Sequence, residues 1–180
     1  MIKLGLKLFP LFLTVFGCSH LVSAQLPSLA GVGNSTFTSD ADGFQISSPD
    51  KCFKLSTNDL GGHSYICDVK EGRISVIVNP GDPKVKTEAD ITKMIETAEP
   101  SAFQTEGVTY LGKAPLEFGI YRGLGIKLNS GGDIIMAVTL MAVNKPQFNL
   151  AIRATKGVKD SEKLLYDVID SFKIISPKTK

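Results

Sequence analysis

Most of what would announce an enzyme is missing from this chain. Two histidines and three cysteines occur in 180 residues, and His20 and Cys18 both lie in the apolar leader. A zinc centre of about four Cys, His or carboxylate ligands would have to draw on Cys52, His63 and Cys67 and find its fourth elsewhere. No Cys-x-x-Cys spacing offers a thioredoxin-like redox centre, and no Gly-x-Ser-x-Gly turn presents a nucleophile. Gly123-Leu124-Gly125 lacks the further glycines and the lysine of a phosphate loop or dinucleotide fingerprint. A surplus of one charge is also missing. Without Lys3 and Lys7 of the leader, basic and acidic side chains number 18 each, so nothing compensates the phosphates of a nucleic acid. No apolar run reaches the roughly 20 residues that a spanning helix needs, and no internal repeat is visible. The expectation is a protein with no metal, no cofactor and no catalytic residues.

What is present begins with an address. MIKLGLKLFPLFLTVFGCSHLVSA puts Lys3 and Lys7 before a short apolar run and ends in Val22-Ser23-Ala24, the order of a signal peptide cut before Gln25. Val15-Phe16-Gly17-Cys18 also resembles a lipoprotein box, which would anchor the chain to a membrane through a lipidated Cys18. Phe16 is bulky for a place that usually takes small residues, which favours the cut after Ala24. The expected product is periplasmic or secreted, with residues 25–36 a Pro-, Gly- and Ser-rich arm and a single domain over 37–176. A chain of this length buries on the order of 70% of its unfolded surface and folds without a metal. Asn34-Ser35-Thr36 fits the glycosylation pattern.

In an oxidising compartment the two remaining cysteines favour a disulfide. Cys52 and Cys67 flank a turn-forming stretch, Thr57 to Gly62, between the strand-like KCFKLS and HSYICDV. A hairpin folded there sets the two opposite each other, and closing a loop of that size is worth about 3 kcal/mol on the chain-entropy account.

Alternation and turn chemistry place the other elements. FTSD, GFQISSP and GRISVIVNP are extended pieces. Thr87 and Asp90 form a capping box ahead of a helix from Glu88 to Glu99, with Ile91, Met94, Ile95 and Ala98 on one stripe. VTYLGKAPLEF carries Pro115, which suits an edge strand; IYRGLGIKLN, DIIMAVTLMAV and FNLAIRAT follow. Ile134 to Val143 is apolar on both faces and predicts a central strand, whereas Asn149 and Arg153 in FNLAIRAT predict water on one side. Asp160 precedes a closing helix with Leu164, Leu165, Val168, Ile169 and Phe172 along one face. The class is α+β, an antiparallel sheet covered by helices.

The opening GFQISSP, the strand pair, the helix before a strand series and the closing VIDSFKII resemble small exported domains of the PsbP-like family, which share an α-β-α sandwich with Mog-type Ran-binding proteins. The resemblance spans Gly43 to Ile175. It implies a non-catalytic assembly factor, binding module or lipoprotein, and it carries over no residue-level functional motif.

Two features of IYRGLGIKLN are candidate ligand contacts. The pleat puts Arg122 on the face of Ile120, Leu124, Ile126 and Leu128, where a largely buried cation needs an acidic partner or a ligand anion. On the other face Gly119, Gly123 and Gly125 flank Tyr121, a strip poor in side chains that suits a packed helix or a ligand groove. Asp68, Glu71, Glu117 and Asp133 read as charges on the rim, and His63 as a loop histidine. The function expected is an exported binding or assembly module with an unknown protein partner, or alternatively a carrier of a small apolar or anionic ligand.

Overall fold

The computed structural model describes residues 35–48, 52–98 and 105–177. The leader, Cys18 and most of the arm lie outside the described residues. Strand pairing starts at Ser35, slightly ahead of the expected domain start at Phe37.

Two short strands, β1 (Ser35–Ser39) and β2 (Phe44–Ser48), form a hairpin, followed by β3 (Lys54–Thr57), β4 (His63–Val69) and β5 (Gly72–Asn79). Helix α1 (Glu88–Glu96) leads to β6 (Val108–Phe118), β7 (Tyr121–Ser130), β8 (Asp133–Met141) and β9 (Gln147–Ala154). Helix α2 (Ser161–Ser171) and a two-residue β10 (Lys173–Ile174) end the described chain. The seven-stranded sheet runs β3-β4-β5-β9-β8-β7-β6, and a second sheet runs β1-β2-β10. All pairs are antiparallel. Pro115 sits on the edge strand β6, where no backbone donor is called for.

The capping box at α1 forms as expected. Asp90 N–H donates to Thr87 Oγ1 at 3.3 Å and Thr87 N–H to Asp90 Oδ2 at 2.8 Å. The Thr87 hydroxyl and the backbone N–H groups of Lys86 and Thr87 hold the Asp90 carboxyl below its ordinary pKa. The helix stops at Glu96, short of the expected Glu99. The closing helix likewise ends at Ser171, because Lys173 and Ile174 leave it to pair with Gln45 and Phe44.

Odd- and even-numbered residues of β7 point to opposite faces of the large sheet. Leu124 and Ile126 meet Ile95, Ala98 and Tyr110 on the face beneath α1. Tyr121 belongs to the main core with Val138, Leu140, Phe148 and Leu150, sealed by Leu164, Leu165, Val168 and Phe172 of α2 and by Phe44 and Ile46 of the small sheet. The helices therefore lie on opposite faces.

One strand departs from its expected environment. FNLAIRAT is wet only towards its end, at the part-exposed Arg153: β9 lies between β5 and β8, and Gln147 and Asn149 are both buried. Thr139 Oγ1 and Gln147 Nε2 each donate to Asn149 Oδ1 at 3.0 Å. Polar residues paired among themselves can be buried at the centre of a sheet, and their alternation with apolar neighbours then looks like exposure.

Candidate functional site

The residues of β7 picked out as ligand contacts are not brought together: Tyr121 lies in the main core and Arg122 on the opposite face. Arg122 is exposed, not buried: it stands beside the first turn of α1, beyond the part of the strand that the helix covers. Its Nε lies 3.7 Å from Glu88 Oε2 and 3.9 Å from Glu117 Oε1, a loose pairing of solvated groups. Tyr121 is a core residue, its ring edge-on to Phe148 at 5.4 Å between centroids, and burial pushes its hydroxyl pKa up. At Gly123 a Cβ would fall 1.8 Å from the Thr139 carbonyl oxygen. Its small size serves the contact with the neighbouring strand β8.

Cys52 and Cys67 are joined, with Cα atoms 5.0 Å apart. The hairpin reading of this stretch holds: β3 pairs with β4 from Lys54↔Ile66 to Thr57↔His63. The bond ties down an edge strand whose four residues are all exposed.

Next to it is a chain of polar groups not anticipated from the sequence. His63 Nδ1 lies 2.8 Å from Asp42 Oδ2 and 3.0 Å from Oδ1. The Tyr65 hydroxyl donates to Asp42 Oδ2, and it lies 2.8 Å from Ser39 Oγ, which is left to donate to it. Burial, then the bond to the Asp42 carboxylate, push the Tyr65 pKa up to about 12. Asp42 belongs to the β1–β2 turn, so this network fastens the small sheet to the large one. No spacing rule links Asp42 to His63, which is why the sequence alone shows a lone histidine.

Two clefts open elsewhere. One, of about 660 Å³, lies between the loop after β5 and the β8–β9 turn. The other, of about 510 Å³, is lined by Gly132 and Ile134, by the end of β9 and the loop after it, and by Ser161, Glu162 and Lys163 of α2. Asp160 occupies the N-cap position of that helix as expected, but with φ 62° and no cap bond from its side chain. Ser161 lines the same cleft and is 7% exposed, and its backbone N–H donates to the Val158 carbonyl at 3.2 Å. The sequence signal for this place was only the turn stretch KGVKDS ahead of a helix.

No family model matches the chain, and no curated protein matches it in sequence. Among solved structures it is similar to the solution structure of cyanobacterial PsbP (CyanoP) from Synechocystis sp. PCC 6803, with a TM-score of 0.53, 15% identity, and coverage of 84% of this chain and 99% of that one. LpqN, involved in cell envelope biogenesis of Mycobacterium tuberculosis, gives a TM-score of 0.43 at 13% identity over 81% of this chain and 87% of that one. A protein of Bacteroides thetaiotaomicron gives 0.40 at 13% identity over 77% of this chain and 47% of its own. The first match shows the fold: the chain has a PsbP-like α+β fold.

Proposed function

We propose that this PsbP-like chain is an exported binding or assembly module without catalysis of its own, and that its helix-covered sheet is the α-β-α sandwich shared with Mog-type proteins. The observation that carries the binding role is the disulfide-held hairpin β3–β4. It displays Leu55 and Leu60, 61% and 57% exposed, at the end of the large sheet. The outer backbone groups of an end strand can take an extended segment of another protein as an added strand. Leu55 then offers the apolar contact that fixes its register.

Export is tested by expressing the full precursor and weighing the product after denaturation. A mass beginning at Gln25 and short of two hydrogens supports the proposal. An acylated Cys18 moves the protein to a membrane surface, and an uncut chain with free thiols overturns export. The binding surface is tested by placing a photo-cross-linking residue at position 55, or at the exposed Ile120 as control. Discrete adducts at position 55 alone support the proposal; none, or equal yields at both, remove it. The second role, a carrier of a small ligand, is favoured by the cleft of about 510 Å³ at the start of α2.

A further inference from the structure

On the face of the large sheet beneath α1, the helix rests on Leu124 and Ile126 of β7 and on Met141 at the end of β8. Strand register carries that face outward from the helix. Ile126 lies opposite Ala137, and the same row continues through Ala151 and Ser75 to Ile66. Directly opposed residues share a face, so this row looks towards the side on which α1 packs, and Ile77, two residues on from Ser75, looks the same way.

The part of this face beyond the helix is buried all the same. Ser75, Ala151 and Ile77 are 0%, 2% and 5% exposed, yet none of them belongs to an apolar cluster with either helix. Burial to that degree needs atoms packed against the side chains, and α1 does not supply them. Ser75, Ala151 and Ala137 are small and adjacent across β5, β9 and β8, between the bulkier Ile66 and Ile126. The row is therefore a shallow furrow running across the strands. Ser75 Oγ lies in its floor without a hydrogen-bond partner, so what covers it presents apolar side chains and not backbone.

We infer that this furrow is a docking site for the chain's own N-terminal arm, residues 25–34, laid across it as an apolar strap. The chain enters the domain at a suitable place. Ser35 begins β1, and Phe37 packs on Phe53 just ahead of the edge strand β3, with centroids 4.7 Å apart, so the arm has only to turn past β3 to reach β4 and β5. An extended segment of that length spans on the order of 33 Å, enough for the turn and for crossing strands about 4.8 Å apart. The sequence fits as well. Leu26, Leu29 and Val32 recur at every third residue and Pro27 lies among them, which suits polyproline II, whose turn of three residues rises about 9 Å. That is close to two strand spacings, so the apolar side chains fall over every second strand. Residues 99–104 are tied beside β7 through Ala98 and by the start of β6; as a loop they reach about 10 Å outward, short of Ser75 and Ile77. The inference goes beyond the binding role given to β3–β4 and takes from the export reading only the point at which the arm starts.

The test uses the exported, disulfide-bonded chain, with its start read from its mass. Methyl NOEs are recorded for the parent and for a variant carrying Leu26→Ser, Leu29→Ser and Val32→Ser. In the parent, NOEs are expected from Leu29 or Val32 to Ile77, Ala137 or Ala151. In the variant, the fluorescence of added 8-anilinonaphthalene-1-sulfonate is expected to rise several-fold as the furrow opens. The methyl shifts of Ile74, Val76 and Leu150, which face the main core, should match the parent and exclude misfolding; if the variant fails to fold, the parent NOEs decide alone. NOEs seen only between differently labelled chains assign the cover to a second copy and overturn the inference, as do NOEs to Ile77 from Phe103 in place of the arm. No NOE from the arm to this face, or dye fluorescence that a folded variant leaves unchanged, also overturns it. An uncut leader in the mass removes the export reading, and the NOEs from Leu29 and Val32 still decide where the arm lies.

Discussion

Ser75 is 0% exposed and its Oγ has no partner, and no described cleft reaches it. Ser75→Ala should raise the urea-measured unfolding free energy by about 1 kcal/mol, since an unbonded hydroxyl is removed from the interior. Tyr65 gives a pH signature. Its folded pKa of about 12 lies above the ordinary tyrosine value of 10.0, so above pH 10 the unfolded chain loses a proton that the folded one keeps. Stability owed to Tyr65 is complete below pH 10 and is lost as pH rises towards 12. The stability advantage of the parent over Tyr65→Phe should therefore shrink between pH 10 and 11.5 in paired thermal melts. At this scale the sequence was legible where one residue type has one use. The cysteine pair was plain from the expected compartment and from spacing, while Arg122 was misjudged because alternation gives a side chain's face and not how far a short helix extends over it.

The hairpin β3–β4 shows what an element gains from a covalent tie. All four β3 residues are exposed, so pairing with β4 and the Cys52–Cys67 bond must hold an edge strand that buries almost nothing. Reduction should cost about 3 kcal/mol if closing the loop acts through the unfolded chain. Amide exchange in β3 should quicken first, with β8 and β9 still protected; uniform loss of protection across the sheet would contradict this. Most elements were legible because their turns are marked by Gly, Pro and Asn and their strands alternate. β9 was the exception in environment, since Asn149 accepts from both Gln147 and Thr139 where water was expected. β10 was missed because two residues carry no period.

Across the whole molecule, strand order was the part hidden from the sequence. Hairpins follow from neighbouring turns, but β5 joins β9 along Gly72↔Ala154 to Asn79↔Gln147, a pairing between distant segments that no local pattern encodes. The sheet is two runs of successive hairpins, β3-β4-β5 and β6-β7-β8-β9, and this single seam unites them. Distant pairing carries a loop-closure cost that is recovered only once it forms, and it slows folding. In pulsed hydrogen exchange during refolding, β3–β4 amides should gain protection ahead of those shared by β5 and β9; simultaneous protection would show a seam formed at the outset. Under the proposed export, with the amino end leading through a translocase, the same seam would set a timetable. The leading run can oxidise its cysteines on arrival, but the barrier to sliding back is complete only when the strand that closes the seam has crossed.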